Sequence, residues 1–180
     1  LTVRSTNFSA NHERRTLEEL SDQDVDAIIA VAYQSVLPSV NSELYEDFIS
    51  RDIPCIFFGE AYNKFPFIGA DDYSAAYSMT KRIAGLSHRN IICLLEDKSS
   101  SAYEFYRGIT RCAADQNMNL DNIKFFWYTP DSIPNTVNSL DFNDCTICIC
   151  QDEQTANPIM ERVQSLGIKV PETLSVACLS

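Results

Sequence analysis

Short apolar runs alternate along this chain with segments in which apolar residues recur every three or four positions. The first pattern is typical of β-strands and the second of amphipathic helices. In the clearest example, a short apolar run at residues 67–68 leads to Asp71 and Asp72, whose carboxylates suit a helix start because they accept hydrogen bonds from its unpaired N–H groups. The predicted helix is lined by Ala75, Ala76, Met79, Ile83 and Leu86. An apolar strand at residues 90–96 follows, and such strand–helix–strand units build parallel sheets.

The same alternation extends over the whole chain. We predict further strands at residues 25–31, 53–58, 123–128, 146–150 and 174–179, and a strand end at residues 1–6. We predict further helices at residues 12–22, 44–49, 103–114 and 154–166, and a weaker one at 136–140. The fold class is therefore α/β with parallel sheets. We expect His88 to mark the division between residues 1–87 and residues 88–180, because each part has its own strand–helix pattern.

Two predicted helices carry specific expectations about their faces. In the helix at 12–22, Leu17 and Leu20 form the apolar face and Glu13 belongs to the polar face. The helix at 103–114 follows a loop at residues 99–101. Its predicted apolar face consists of Tyr103, Tyr106, Ile109, Thr110, Ala113 and Ala114.

Composition and charge narrow the function classes. The net charge is −11, with 14 Lys and Arg, so these residues are not expected to bind nucleic acid themselves. We expect no membrane association, because no run of 18 apolar residues exists and no signal peptide is visible. The missing initial Met suggests a fragment or a processed chain. The seven cysteines are odd in number and mostly lie in apolar runs, which indicates reduced, buried thiols and a cytoplasmic protein.

Catalytic and metal-binding patterns are weak. Cys145 and Cys148 lie in or beside a predicted strand, so their side chains should point to opposite faces and not share a zinc ion. The two histidines, His12 and His88, fit a polar stretch and a turn, and the five glycines form no phosphate-binding loop. We therefore expect no catalytic residues, no metal and no cofactor.

Polar residues collect instead after the predicted strands, where ligands bind in open parallel sheets. They are Tyr33, Asp71, Asp72, Ser99, Ser100, Ser101, Tyr128, Asp152 and Glu153. Carboxylates, hydroxyls and aromatic faces together suit a polar ligand rich in hydroxyl groups. The adjacent Asp71 and Asp72 could also form an acid/base pair, but paired carboxylates at a helix start more often cap the helix.

Several of these segments resemble the effector-binding core of the LacI/GalR family of transcriptional regulators. The matching segments are Ile-Pro-Cys-Ile-Phe-Phe at 53–58, Asp-Asp-Tyr-Ser-Ala-Ala-Tyr at 71–77, Leu-Ser-His-Arg-Asn-Ile at 86–91 and Leu-Gly-Ile-Lys-Val-Pro-Glu-Thr-Leu-Ser-Val at 166–176. Gly108 matches a family helix glycine. Residues 13–18 also resemble the early helix of arabinose-repressor relatives. The resemblance covers essentially the whole chain, and the Val-Pro-Glu segment is its most specific motif.

The resemblance implies two Rossmann-like lobes with parallel sheets, similar to type I periplasmic-binding proteins, and a cleft between them for a sugar or purine. It implies a homodimer and an operator-binding DNA domain outside this chain. It also implies that the first strand and helix, and the strands after Ser180, are missing, so the fold would be incomplete at both ends.

By motif, the resemblance implies ligand contacts at Ser101, Phe105, Tyr128, Asp152 and Glu153. Phe105 stands where the family usually has an Arg, which removes a fork of hydrogen-bond donors. Ser180 replaces a ligand-binding Asp, and Ser87 replaces a Gly. For Phe105 and Tyr128 the alternative is a contact within the core.

The leading hypothesis is a small-molecule sensor, binding a sugar or a related effector, that modulates DNA binding by a separate domain. The alternative is an extracytoplasmic sugar-binding protein of a transporter, which has the same two-lobe architecture. The seven cysteines argue against this alternative, because an oxidising compartment would pair them. An enzyme is a third possibility, but no constellation of nucleophile and base supports it.

Overall fold

The computed structural model describes residues 1–7, 9–31, 40–59, 65–97 and 99–178. Strands and helices alternate along these segments, and every described strand pairing is parallel, so the predicted α/β class is confirmed. The chain forms two compact units, Leu1–Ala70 and Asp71–Ser180.

The first unit contains a three-stranded parallel sheet and two helices. Its described elements are α1 (Ala10–Ser21), β1 (Ile28–Ala30), α2 (Ser42–Ser50), β2 (Cys55–Phe58) and β3 (Phe67–Ile68). The strand order is β1-β2-β3. The core of this unit contains Leu17 from α1, and Tyr45 packs edge-on against Phe57, with ring centroids 4.8 Å apart. The predicted strand end at residues 1–6 is wrong, because these residues pair with no described strand.

The polar face predicted for α1 is also wrong at Glu13, which is buried. Its carboxylate accepts hydrogen bonds from Asn41 Nδ2 at 2.6 Å and from the Tyr45 hydroxyl at 3.0 Å. Both partners belong to the start of α2. A buried carboxylate is tolerated only when such donors replace its lost water. Glu13 therefore joins the two helices.

The second unit contains a four-stranded parallel sheet with helices on both faces. Its elements are α3 (Asp72–Gly85), β4 (Ile91–Glu96), α4 (Ser100–Asp115), β5 (Ile123–Tyr128), α5 (Ile133–Asn138), β6 (Ile147–Cys150), α6 (Glu153–Ser165) and β7 (Ser175–Cys178). Short 3₁₀ helices span Leu120–Asn122 and Pro130–Ser132. The strand order is β5-β4-β6-β7.

The central strand β4 supplies both faces of this core. Ile91, Cys93 and Leu95 pack in the cluster that includes α3 and α4, whereas Ile92 and Leu94 pack in the cluster that includes α5 and α6. This division follows from the alternation of side chains along a strand. A nearly continuous apolar run is what a strand covered on both faces requires.

Helix α3 packs closely on α4, and a glycine allows the contact. A Cβ atom at Gly108 would overlap the carbonyl oxygen of Tyr73 and lie 2.9 Å from the Cβ of Ala76. The compact units accordingly divide after Ala70, with α3 in the second unit, and not at the predicted boundary between residues 87 and 88. His88 lies within the second unit, where its Nδ1 is 3.0 Å from the Thr146 hydroxyl.

The predicted helix faces are partly wrong. Ala75 and Leu86 are exposed on α3, and the buried positions include Thr80 and Ala84 instead. On α4 the buried face is rotated by about one residue from the prediction. Its buried residues are Ala102, Phe105, Gly108, Ile109, Cys112 and Ala113. Tyr103, which was predicted to be buried, is exposed.

Candidate functional site

Three neighbouring strands of the second sheet end at the same edge. Tyr128 at the end of β5 is in register with Glu96 at the end of β4, and Cys150 at the end of β6 is in register with Leu94. Helices α4 and α6 begin directly after β4 and β6, capped by Ser99 and Asp152. This edge therefore collects strand ends and helix N-termini, the usual position of ligands in open α/β sheets.

Tyr128 and Asp152, both predicted as site residues, are in contact here. The Tyr128 hydroxyl donates a hydrogen bond to Asp152 Oδ2 over 3.4 Å. The ring is 3% exposed and packs in the core cluster on the α5 and α6 side of the sheet. Burial, reinforced by the nearby Asp152 carboxylate, raises the pKa of the Tyr128 hydroxyl. Tyr128 therefore remains a neutral donor that orients the carboxylate.

Asp152 also caps helix α6. Its Oδ1 accepts hydrogen bonds from the Thr155 backbone N–H at 3.0 Å and from the Thr155 hydroxyl at 3.1 Å. This is the geometry that an N-cap carboxylate provides. Glu153, the next predicted site residue, is the first residue of α6 and is exposed. Two carboxylates thus stand side by side at this helix start, one oriented by the protein and one facing solvent.

Gln151 belongs to the same edge and was not predicted. It is buried, and its Oε1 accepts a hydrogen bond from the Glu96 backbone N–H at 2.8 Å. Its Nε2 donates to the Ser99 hydroxyl at 3.5 Å. Gln151 thereby ties the end of β6 to the end of β4 and to the cap of α4. The signal available in the sequence was a polar residue directly after the apolar run that ends at Cys150.

The two predicted contacts on α4 have different outcomes. Ser101 lies in the first turn of α4 rather than in the predicted loop, and it is half-buried. Phe105 is 4% exposed and packs in the cluster with Ala76 and Ile109. The structure thus gives Phe105 the core position that was its alternative, and its predicted role as a ligand contact is not supported.

Asp71, another predicted site residue, has a local role at the start of α3. Asp71 caps α3, and its Oδ1 accepts a hydrogen bond from the Ser74 backbone N–H at 2.9 Å, which lowers the pKa of the Asp71 carboxyl. The capping alternative is thus what the structure shows for Asp71. Tyr33 and Ser180 lie outside the described residues.

The cysteines near β6 differ from the prediction. Cys145 lies before β6 begins, so strand alternation does not separate it from Cys148, and the two sulfur atoms are 3.9 Å apart. Within the described segments, no group of three or more His, Cys, Asp or Glu side chains has the arrangement of a metal site. No helix in the described part of the chain has the length and apolar character needed to cross a membrane.

The sequence was compared with protein-family models and with curated proteins. No family model matches the chain. The chain is 25% identical over 187 residues to the arabinose metabolism transcriptional repressor of Halalkalibacterium halodurans, a match that covers 98% of this chain and 49% of the relative. The chain therefore spans about half the length of that curated relative.

Solved structures share the fold at lower identity. A sugar-binding LacI-family regulator from Escherichia coli, complexed with phosphate, superposes with a TM-score of 0.76 at 19% identity, covering 94% of this chain and 62% of the other. A LacI-family regulator from Enterococcus faecium with bound ribose gives a TM-score of 0.71 at 15% identity, covering 89% and 60%.

These likenesses define the class of fold: the chain has the α/β architecture of LacI-family transcriptional regulators. The resemblance predicted from the sequence is confirmed, and the curated relative is itself a transcriptional repressor, named for arabinose metabolism. Each of these proteins is named as a transcriptional regulator or repressor.

Proposed function

We propose that this chain is the ligand-sensing region of a transcriptional regulator and that its effector is a sugar or a related polyol. The relatives support the proposal, because one is an arabinose metabolism repressor and another was solved with bound ribose. DNA binding belongs to a segment outside these 180 residues. The net charge of −11 supports that division, because such a surface repels the phosphates of DNA.

The observation that carries the proposal is the contact between Tyr128 and Asp152 at the carboxyl edge of the second sheet. The carboxylate of Asp152 is already oriented by Tyr128 and Thr155. Oriented carboxylates suit sugar hydroxyls, which donate hydrogen bonds to them that are stronger than those to neutral acceptors. Glu153 adds a second, exposed carboxylate beside it. Binding to the preorganised Asp152 carboxylate loses less side-chain entropy than binding to a mobile side chain.

The same carboxylates select against anionic ligands. A sugar phosphate would bring its charge towards Asp152 and Glu153, and like charges at close range repel. The N-terminus of α6 favours an anion, but Asp152 already occupies its cap. We therefore propose a neutral sugar rather than a phosphorylated one. Ser101 and Asp71 remain candidate contacts, and Tyr33 stays a prediction from the sequence.

The mechanism would be a shift between conformations of the regulator. An effector that binds one conformation more tightly raises its population, and DNA affinity changes by the coupling free energy between the two sites. A homodimer would let two DNA-reading domains respond together, as expected for a twofold assembly. Whether the effector site lies between two lobes stays a prediction from the resemblance.

A thermal-shift screen tests the proposal directly. The purified protein is heated with arabinose, ribose, other neutral sugars, their phosphates and purine bases. A ligand at 100 times its Kd should stabilise the protein by about 2.7 kcal/mol. We expect a neutral sugar to raise the melting temperature and the matching phosphate not to. A response to purines alone, or to no member of the panel, would contradict the proposal.

Asp152→Asn tests the site itself. Asparagine caps helices as well as aspartate does, so the melting temperature without ligand should change little. The affinity for the sugar, measured by calorimetry, should fall by about tenfold or more, because hydrogen bonds to a charged group contribute about 1.5–3 kcal/mol. Asp115→Asn is the matched control, since Asp115 lies at the C-terminal end of α4. Equal affinities in the two variants would exclude Asp152 from the site.

A further inference from the structure

The amino-terminal edge of the second sheet contains a pair of thiols that the proposed function does not use. Cys145 lies just before β6 and Cys148 within it, and their sulfur atoms are 3.9 Å apart. A disulfide has an S–S distance of about 2.05 Å, so the sulfurs must approach by about 2 Å. Cys145 lies outside the strand pairing, where a side-chain rotation opposes no ladder hydrogen bond.

The two thiols differ in their access to solvent. Cys145 is half-buried and lines an open surface cavity of about 240 Å³, together with Asn90, Asp121, Lys124 and Asp144. A cavity of this size admits small polar molecules, since one water occupies about 30 Å³ of liquid volume. Cys148 is fully buried and does not line the cavity. A reagent in the cavity therefore meets Cys145 first. The Cys148 sulfur lies 3.9 Å from the Cys145 sulfur, close enough to react with it next.

We propose that Cys145 and Cys148 form a redox modification site that reacts with small hydroperoxides and closes to a reversible disulfide. Cys145 is the attacking thiol and Cys148 the resolving thiol. This site is independent of the sugar site, which belongs to the opposite edge of the same sheet.

The chemistry balances in two steps. The Cys145 thiolate attacks one peroxide oxygen, the O–O bond breaks, and the leaving hydroxide takes a proton to form water, so that Cys145 becomes a sulfenic acid. The Cys148 sulfur then attacks the Cys145 sulfur, the S–O bond breaks, and a second water leaves with the Cys148 proton. Two thiols and one hydroperoxide (hydrogen peroxide in the test below) thus give one disulfide and two waters. The two electrons pass from the thiols to the peroxide.

Electrostatics supports the attacking role of Cys145. The hydrogen bond with Cys145 and burial raise the pKa of the Cys148 thiol, so Cys148 enters the second step as a protonated thiol. The hydrogen bond with the Cys148 thiol lowers the pKa of the Cys145 thiol, and the ammonium of Lys124 acts in the same direction. The carboxylates that line the cavity, Asp121, Asp141 and Asp144, oppose it. The pKa of Cys93 is also raised by burial, and Cys93 does not line the cavity, so a reagent there does not meet it.

Peptide mapping after peroxide treatment tests the proposal. Cys145, Cys148 and Cys150 share one tryptic peptide, residues 125–162, so their pairing is assigned by differential alkylation and fragmentation. Reduced protein treated with hydrogen peroxide should give the Cys145–Cys148 disulfide, and a reducing thiol should restore both thiols. Cys145→Ser should abolish the product, whereas Cys178→Ser, a change at an exposed cysteine, should leave it intact.

Cys148→Ser provides the second variant, because a hydroxyl keeps a hydrogen-bond donor beside Cys145 but cannot form a disulfide. Cys145 should then stop at the sulfenic acid, which a 1,3-dione reagent traps. The proposal is overturned if Cys145 stays reduced in the wild-type protein while Cys178 is oxidised, or if no sulfenic acid is trapped in Cys148→Ser. It is also overturned if urea-unfolded protein pairs these cysteines with the same selectivity, because the fold would then not determine the reaction.

Discussion

The two sheets of this protein have similar apolar strands but different surroundings. In the second unit, β4 is buried on both faces, and Ile92 is 2% exposed. In the first unit, one face of the sheet is exposed, with Ile56 39% exposed and Ile29, its register partner on β1, 69% exposed. An apolar run therefore predicts a strand, but it does not tell how many of its faces are covered.

The buried polar groups of the two units also differ in purpose. In the first unit, Glu13 joins α1 to α2 through Asn41 and Tyr45, and all three lie in or beside the helices that they connect. In the second unit, Gln151 and Thr155 lie at the carboxyl edge of the sheet beside Asp152. The first arrangement stabilises packing, whereas the second orients the groups that we propose to bind the effector.

The largest expected effect compares the same substitution in the two sheets. Ile92→Ala should lower the free energy of unfolding by about 2–5 kcal/mol, because it leaves a cavity in a core covered on both faces. Ile56→Ala should cost well under half of that, since its side chain is already partly in water. Urea unfolding of both variants measures the difference. Equal losses would mean that the exposed face of the first sheet is covered in solution.

A glycine tests how tightly the second unit is packed. Gly108→Ala should destabilise by about 1–3 kcal/mol, because the added methyl group meets the backbone of α3 at Tyr73. Gly85→Ala is the matched control at the end of α3, where a Cβ atom meets nothing within 4 Å. This control should be neutral or stabilise by about 0.5–1 kcal/mol. Similar midpoints in urea for both variants would show that α3 and α4 separate easily.

In the first unit, the buried carboxylate offers a comparable test. Glu13→Ala should cost about 1–3 kcal/mol, because Asn41 and Tyr45 each lose an acceptor in a buried place. Glu19→Ala, an exposed change on the same helix, should stay within about 0.5 kcal/mol of the wild type. Thermal unfolding of the two variants gives the comparison. A neutral Glu13→Ala would indicate that water reaches this cluster.

The smallest expected effect concerns helix caps. Asp71 caps α3, and the hydrogen bond from Ser74 lowers the pKa of its carboxyl in the folded state. Its stabilisation is therefore present above the unfolded pKa of about 3.9 and is lost as the pH falls through the lower folded value. In the first unit, α1 is capped by Ser9, which does not titrate in this range.

Asp71→Asn should accordingly reduce the loss of stability between about pH 5 and pH 3 while leaving stability at neutral pH nearly unchanged. Ser9→Asn should leave the same pH profile unaltered. Urea midpoints across this range provide the measurement. An unchanged profile in Asp71→Asn would mean that other carboxylates dominate the acid response.

The burial of Tyr128 decides which variant tests its hydroxyl. The ring is 3% exposed and packs in the core, so truncating it to alanine would cost stability as well as any contact with the ligand. Tyr128→Phe keeps the ring and removes only the donor to Asp152. It is the variant that separates the role of the hydroxyl from that of the core.

The order and type of the described helices and strands followed from the sequence alone, whereas the strand end predicted at residues 1–6 did not form. Helix periodicity and the caps Asp71 and Asp152 depend on residues within about four positions, and the structure has helices beginning at both. The apolar runs correctly predicted the presence of these strands. The strands are shorter than predicted, as at β1, because strand pairing depends on a neighbour far away in the chain.

Only the tertiary structure decided which way particular side chains face. Phe105 is in the core and Glu13 is buried because elements distant in sequence pack over them. The residues within one helical turn do not indicate this packing. Gln151 joins strand ends that are 55 residues apart in the chain. Cys145 approaches Cys148 because the chain turns before β6 begins, a local bend that strand alternation does not anticipate. Local periodicity thus determines the elements, and long-range packing determines which residues meet.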